Sequence, residues 1–223
     1  MACRAALRLL TTVTVSLLLC DSVRAGDPSG TRPLRQGRVA DLHAVVPNDS
    51  HVLVEPASIE AFLRELDGAP PDWAAVYGAG HHDPGHDDRL FQLNRDRDAA
   101  RVGREPLGWR LAFLWDGLLT GFDPKTGGFS VGIGPRFTRT SWGAIRFKPE
   151  DLPGNLTAIP DPRLRSALRR RFEAGERIAV SVVMTGRLIP EESLIYDFSH
   201  DEEGLGLIMP VVRITQIDYL LVP

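Results

Sequence analysis

The chain has 223 residues, of which 43% are hydrophobic and 25% are charged, and its formal net charge is −3 at pH 7. This length and apolar content suit one full domain, or two small ones, with a packed core. A mildly acidic chain is a poor match for the phosphate backbone of nucleic acids, so we expect no nucleic-acid partner.

The first 25 residues have the order of charged and apolar residues that is typical of a secretory signal peptide. Arg4 and Arg8 precede an apolar run over 9–20, and the segment ends at Ala25, after which we place the cleavage. The apolar run is shorter than the ~20 residues that a helix needs to cross a bilayer. We therefore predict a signal peptide over 1–25 and an exported mature chain without a transmembrane segment. Lipid attachment at Cys20 and an uncleaved anchor are the alternatives.

Cleavage after Ala25 has consequences for the chemistry of the mature chain. It removes both cysteines, Cys3 and Cys20, which excludes disulfides, thiolate nucleophiles and cysteine-ligated zinc. It also removes three arginines and one aspartate, so that the formal net charge of −3 becomes −5. The basic residues other than Lys125 and Lys148 are all arginines, which points to a GC-rich bacterial genome. The expected location is the periplasm or the extracellular space.

The mature chain divides by composition into three parts. Residues 26–50 are rich in Gly, Pro, Asp and Arg without a sustained period, which predicts a flexible or irregular N-terminal segment. Residues 51–223 are predicted to form a single globular domain, with a helical part over 51–105 and a β-rich part over 106–223.

Two helices are predicted in the helical part. Apolar residues recur at helical spacing from Ser58 to Asp67, and Gly68 can take the left-handed conformation that ends the helix. A loop follows, and a second, charged helix is predicted from Asp88 to Val102, capped by Asp87 or Asp88.

A candidate metal site lies between these helices, where histidines and carboxylates are concentrated. Neutral imidazole and carboxylate are ligands for divalent metals such as zinc, nickel or manganese when no thiolate is present. The Pro84-Gly85 pair predicts a turn that could bring residues on either side toward one ion. The alternative is a solvated polar loop whose aspartates only cap the next helix. The candidate ligands are His81, His82, Asp83, His86 and Asp87.

The β-rich part shows strand-like runs separated by turn residues. One helix is inserted, with Asp161 as its cap, Pro162 at its first position and Gly175 after its end. In the central strand, Val182 faces the predicted core and Val183 faces the opposite side, while Gly186 suggests a bulge or bend. The predicted strands are Trp109–Phe122, Phe129–Gly134, Trp142–Phe147, Arg177–Ile189, Leu194–Phe198, Leu207–Val212 and Ile214–Val222.

These elements predict a β-rich α+β fold. We expect an antiparallel small barrel or a strongly curved sheet, with one inserted helix and the two N-terminal helices packed against it. A barrel like the oligonucleotide/oligosaccharide-binding (OB) fold is one alternative, and such an analogy carries no function.

A second polar tract contains Ser199, His200 and Asp201 in a row. Consecutive residues on a strand point to opposite faces, whereas a catalytic triad needs side chains that converge from separate elements, so no catalytic residue is assigned. An acidic turn is the main interpretation. The alternative is that Asp197 and His200 complete a site begun by the first tract.

Two functional classes follow from the sequence. The first is a non-catalytic binding or structural protein of unknown specific role, which contacts a protein or cell-envelope partner through a sheet edge or a loop. The second is a metal-binding protein or a metal-dependent hydrolase, in which a carboxylate near His81–Asp88 would activate a metal-bound water.

Overall fold

A computed structural model describes residues 30–80, 83–199 and 204–221; the predicted signal peptide lies outside them. The described part is a β-rich α+β fold built around a closed six-stranded mixed barrel. Its strands are β1 (Thr31–Gln36), β2 (Ser50–Val52), β3 (Arg110–Asp123), β4 (Gly128–Gly134), β5 (Thr138–Thr140), β6 (Gly143–Ile145), β7 (Lys148–Glu150), β8 (Thr157–Pro160), β9 (Ala179–Leu188), β10 (Leu194–Phe198) and β11 (Gly206–Leu221). Its helices are α1 (Pro56–Asp67), α2 (Trp73–Tyr77), α3 (His86–Arg101) and α4 (Pro162–Glu173), with short 3-10 helices at Val39–Ala44, Glu105–Gly108 and Pro190–Glu192.

The barrel is closed by its N-terminal strand. The strand order is β1, β8, β4, β3, β9, β11, and β1 also pairs with β11, which completes the ring. Both pairings of β1 are parallel and the others within the ring are antiparallel, so the sheet is mixed rather than antiparallel as the sequence predicts. The segment predicted to be irregular therefore supplies a barrel strand. Its pattern is weak because Leu34 is its only buried residue and Pro33 interrupts it.

The barrel wall is covered on both faces around β9. Val182 and Met184 point into the main core, whereas Val183 packs in an outer cluster with Leu42 and Val46. Those two residues belong to the segment 39–54, which we call the strap and which includes β2. The irregular segment predicted by the sequence thus has a structural role, because it buries the outer surface of the wall.

The helices begin and end where local chemistry requires. In α1, the apolar residues at helical spacing are all buried in the main core, and Gly68 has the positive φ of 83° expected after the last turn. In α4, the Asp161 carboxylate accepts hydrogen bonds from the backbone of Arg163 and Leu164, which confirms the predicted cap. The five-residue α2 lies within a predicted loop, because one helical turn is too short to show a period.

The last strand differs from its prediction. The sequence predicts two strands separated at Arg213, but β11 is continuous from Gly206 to Leu221 with a register shift between Ile214 and Gln216. Gly186 lies opposite this shift, where a Cβ atom would overlap the carbonyl oxygen of Arg213. The irregularity expected at Gly186 is therefore present, but its extra residue belongs to the partner strand. No helix among the described residues is both long enough and apolar enough to cross a bilayer.

Candidate functional site

The first polar tract forms a turn organised by Asp83. Its carboxylate pairs with the Arg89 guanidinium at 2.9 Å and accepts backbone hydrogen bonds from Ala79 at 3.1 Å and Gly85 at 2.9 Å. These contacts, led by the bond from Arg89, hold the pKa of Asp83 far below its ordinary value. A metal ion at Asp83 would have to compete with all three contacts.

His86 is the first residue of α3, so the helix begins two residues earlier than predicted. Its N-cap is Gly85, and the prediction that Asp87 or Asp88 caps the helix is wrong. Both aspartates lie in the first turn, where their negative charges interact favourably with the positive end of the helix dipole. The His86 Nδ1–H donates to the carbonyl oxygen of Asp83 at 2.8 Å, and Nε2 lies 3.3 Å from Asp87 Oδ1.

The structure brings the two polar tracts together. The His86 ring lies 5.0 Å from the Phe198 ring, and the Tyr77 ring lies 4.5 Å from it. The Asn94 side chain bridges α3 to β10 by two hydrogen bonds of 2.9 Å with the backbone of Tyr196. The end of β10 therefore lies beside the start of α3.

The candidate metal site is only partly visible in this arrangement. His81, His82, His200 and Asp201 lie outside the described residues. Asp197 accepts a hydrogen bond from the backbone N–H of Phe198 at 2.8 Å. Residues 30–80, 83–199 and 204–221 contain no group of three or more His, Asp or Glu side chains that could hold a metal. The metal site remains a prediction.

A buried charged cluster, absent from the sequence analysis, joins α1, α3 and β10. The Asp67 carboxylate, 1% exposed, binds Arg101 Nε and Arg97 Nη1 at 2.8 Å each, and the Tyr196 hydroxyl donates to it. Burial and the nearby Asp67 charge raise the pKa of Tyr196 well above its ordinary value. Arg97 and Arg101 are four residues apart, so they lie on one face of α3. This spacing is the feature of the sequence that indicates a shared partner for the two arginines.

A concavity lies on the outer face of the barrel, across β4, β3 and β9. Asp116 and Leu118 share this face with Leu114, which lies in the outer cluster beside the strap. We call the concavity the outer groove. Its volume is about 710 Å³, within the usual range for ligand sites. Its lining is Asp116, Gly117, Leu118, Thr120, Gly132, Ile133, Gly134, Arg136, Ala179, Val180 and Ser181.

Small residues make the groove, and one ion pair gives it charge. Gly132 and Gly134 on β4 and Ala179 on β9 leave the strands on either side of β3 without large side chains here. Asp116 Oδ1 accepts from both Nε and Nη2 of Arg136, at 2.9 and 2.6 Å. Within the described residues, Asp116 Oδ2 and Arg136 Nη1 have no such partner, and both side chains are partly exposed. Asp116 Oδ2 as acceptor and Arg136 Nη1 as donor are therefore available to a ligand.

Comparisons of the chain with protein-family models, with curated proteins and with solved structures find no match to any of them.

The outer groove is not predicted by the sequence. The alternation of Gly132 and Gly134 on β4 was its only local signal, because the groove depends on which strands are neighbours.

Proposed function

We propose that the chain is an exported, non-catalytic binding protein that holds an extended segment of a partner polypeptide in the outer groove. The observation that supports this function most strongly is the groove itself, which has a volume of about 710 Å³. It lies on the outer face of the barrel wall, next to the part of that face that the strap covers. Export is supported by the charge and apolar pattern of residues 1–25.

The charges favour a peptide over a purely apolar ligand. A peptide bond offers one N–H and one C=O, and the groove presents the free Asp116 Oδ2 as acceptor and Arg136 Nη1 as donor. An acyl chain would leave both groups without partners, which costs binding energy once water is displaced. Gly132 and Gly134 on β4 also allow close approach of an extended backbone.

The lining also favours binding over catalysis. None of its residues is a histidine, cysteine or lysine, and Ser181 pairs across the strands with Asp116. A serine nucleophile needs a neighbouring base, and a third group must hold that base in place. The lining residues do not include a histidine or lysine that could act as this base.

A groove-filling substitution tests this function. Gly134→Phe places a ring where a Cβ meets no heavy atom within 4 Å, so the protein should fold normally while the groove is blocked. The probe is a heptapeptide selected on the full-length protein from a random phage-displayed library, and its affinity is measured by fluorescence anisotropy. We expect Gly134→Phe to weaken binding by more than about tenfold, or about 1.4 kcal/mol.

Gly108→Phe is the matched control for this experiment. Its Cβ also meets no heavy atom within 4 Å, and it precedes the opposite end of β3. Peptide affinity should be unchanged in this variant. Equal affinity in both variants, or failure of the library to yield any binder, would contradict peptide binding in the groove.

A metal-binding protein is the second candidate, and the contact between His86 and Phe198 favours it because it places the two polar tracts side by side. In this case zinc, nickel or manganese would be held by ligands from His81, His82, Asp83, His86 and Asp87, and a nearby carboxylate could activate a metal-bound water for hydrolysis.

Substitution of the histidines tests the metal hypothesis. His82→Ala and His86→Ala should each abolish stoichiometric binding, and the double variant should lose little more, because ligands of one ion act together. Asp88→Ala is the control, since it removes only a favourable charge in the first turn of α3. Calorimetric titration measures metal binding, and thermal melts measure the rise in melting temperature that a bound metal causes. Unchanged melting of the metal-free protein in saturating zinc, nickel and manganese would eliminate this candidate.

A further inference from the structure

A carboxylate is buried in the wall of the barrel on the side of the strap. Asp218 lies between Ile217 and Tyr219, which both point into the main core, so its side chain faces outward. It is directly opposite Val183, a member of the outer cluster, and the residue is only 5% exposed. Gln216 Nε2 donates a hydrogen bond to Asp218 Oδ2 at 2.6 Å.

Among the described residues, burial outweighs the charges near this carboxylate. Burial is the main influence and raises the pKa of Asp218, while the bond from Gln216 and the charges of Arg35 and Arg32 on β1 oppose it. The facing residue of β9 is the apolar Val183. On the strap, the Asp41 carboxylate accepts from the backbone N–H of Arg38, and its own charge adds no compensation for Asp218.

The strap pairs with β3 through β2 and is flanked by a cavity on either side. A cavity of about 230 Å³ separates it from β1 and β11 and is lined partly by Arg35, Asp41 and Leu220. A second cavity of about 340 Å³ lies between the strap and the start of α1. The hydroxyls of Ser50 on the strap and of Thr185 on β9 are buried without a hydrogen-bond partner in the described part of the chain. Cavities and unsatisfied hydroxyls both lower the cost of lifting a segment away.

We propose that the strap is a pH-dependent cover of β9 and β11, which is held most firmly while Asp218 is protonated and opens more often once Asp218 ionises. Release would expose Val183 and Leu220 and also Leu114, which continues the face of Asp116 on β3. The exposed surface would adjoin the outer groove. This device does not depend on what the groove binds.

The direction of the pH effect follows from proton linkage. With the strap open, water reaches Asp218 and its pKa returns toward 3.8; with the strap closed, the pKa is higher. The closed form therefore binds more protons between the two values. The closed strap is most favoured below the lower value, and its advantage falls by up to about tenfold per pH unit until the higher value is passed.

Hydrogen exchange of the full-length protein tests the cover. The amide of Leu53 on the strap, which bonds to the carbonyl oxygen of Ala112 on β3 at 2.8 Å, reports strap closure. After correction for intrinsic exchange, this protection should fall as the pH is raised from 4 to 8. In Asp218→Asn, protection should stay constant over this range.

Two further variants make the test specific. Asp116→Asn removes an exposed carboxylate from the same outer face, and its strap should respond to pH as the native strap does. Gln216→Met removes the donor that favours the ionised carboxylate, so the fall should continue to higher pH than in the native protein. An equal fall in Asp218→Asn, or constant protection in the native protein, would overturn the proposal.

Discussion

Val182→Asp and Val183→Asp are both expected to unfold the protein. Alternation along β9 by itself predicts that Val182 faces the core, and that Val183→Asp is milder than Val182→Asp if the sheet is covered on one side only. The structure buries both side chains, Val182 in the main core and Val183 against Leu42 and Val46 of the strap. An uncompensated buried charge costs several kcal/mol, comparable to the ~5–15 kcal/mol that stabilises a typical domain. Circular dichroism and thermal melts measure the loss.

Ala179→Asp is the control on the same strand, because Ala179 is exposed. This variant should melt close to the native protein. If Val183→Asp melts like Ala179→Asp, the strap does not cover the wall in solution.

Arg101→Met is expected to destabilise the fold by about 3 kcal/mol or more, because it leaves a buried carboxylate with less compensation. Both partners are almost fully buried, with side-chain exposures of 2% for Arg101 and 1% for Asp67. Arg97 and the Tyr196 hydroxyl remain on Asp67 and reduce the loss. Equilibrium unfolding in urea gives the free energy of unfolding directly.

An exposed ion pair provides the comparison. Arg169→Met breaks the contact with Glu173, in which both side chains are more than half exposed, and should cost less than about 1 kcal/mol. The double variant of Asp67→Asn with Arg101→Met should lose less than the sum of the two single changes. Similar costs for Arg101→Met and Arg169→Met would show that the buried cluster does not stabilise the contact between α1 and α3.

Elements with strong local signals could be predicted from the sequence. The β10 strand has the predicted bounds, and α4 has its predicted cap and first residue, because alternation and capping depend on neighbours in the chain. The closing strand β1 could not be predicted in this way. Its place depends on pairing Leu34 with Tyr219, a contact between residues far apart in sequence, and a short strand with proline carries little periodicity.

The candidate sites show the same division between local and distant contacts. A turn at Pro84-Gly85 could be predicted, but Arg89 as the partner of Asp83 and Phe198 as the neighbour of His86 depend on how α3 packs. The outer groove was beyond sequence reasoning, because it is the part of three neighbouring strands that the strap leaves uncovered.

Amide chemical-shift mapping of the full-length protein, titrated with the selected heptapeptide, tests peptide binding in the outer groove most directly. We expect the largest shifts at Gly117, Leu118, Gly132 and Gly134, where the bound backbone would lie on the exposed strands. Shifts centred on the turn at residues 83–89, with the groove amides unchanged at saturation, would contradict the proposed function.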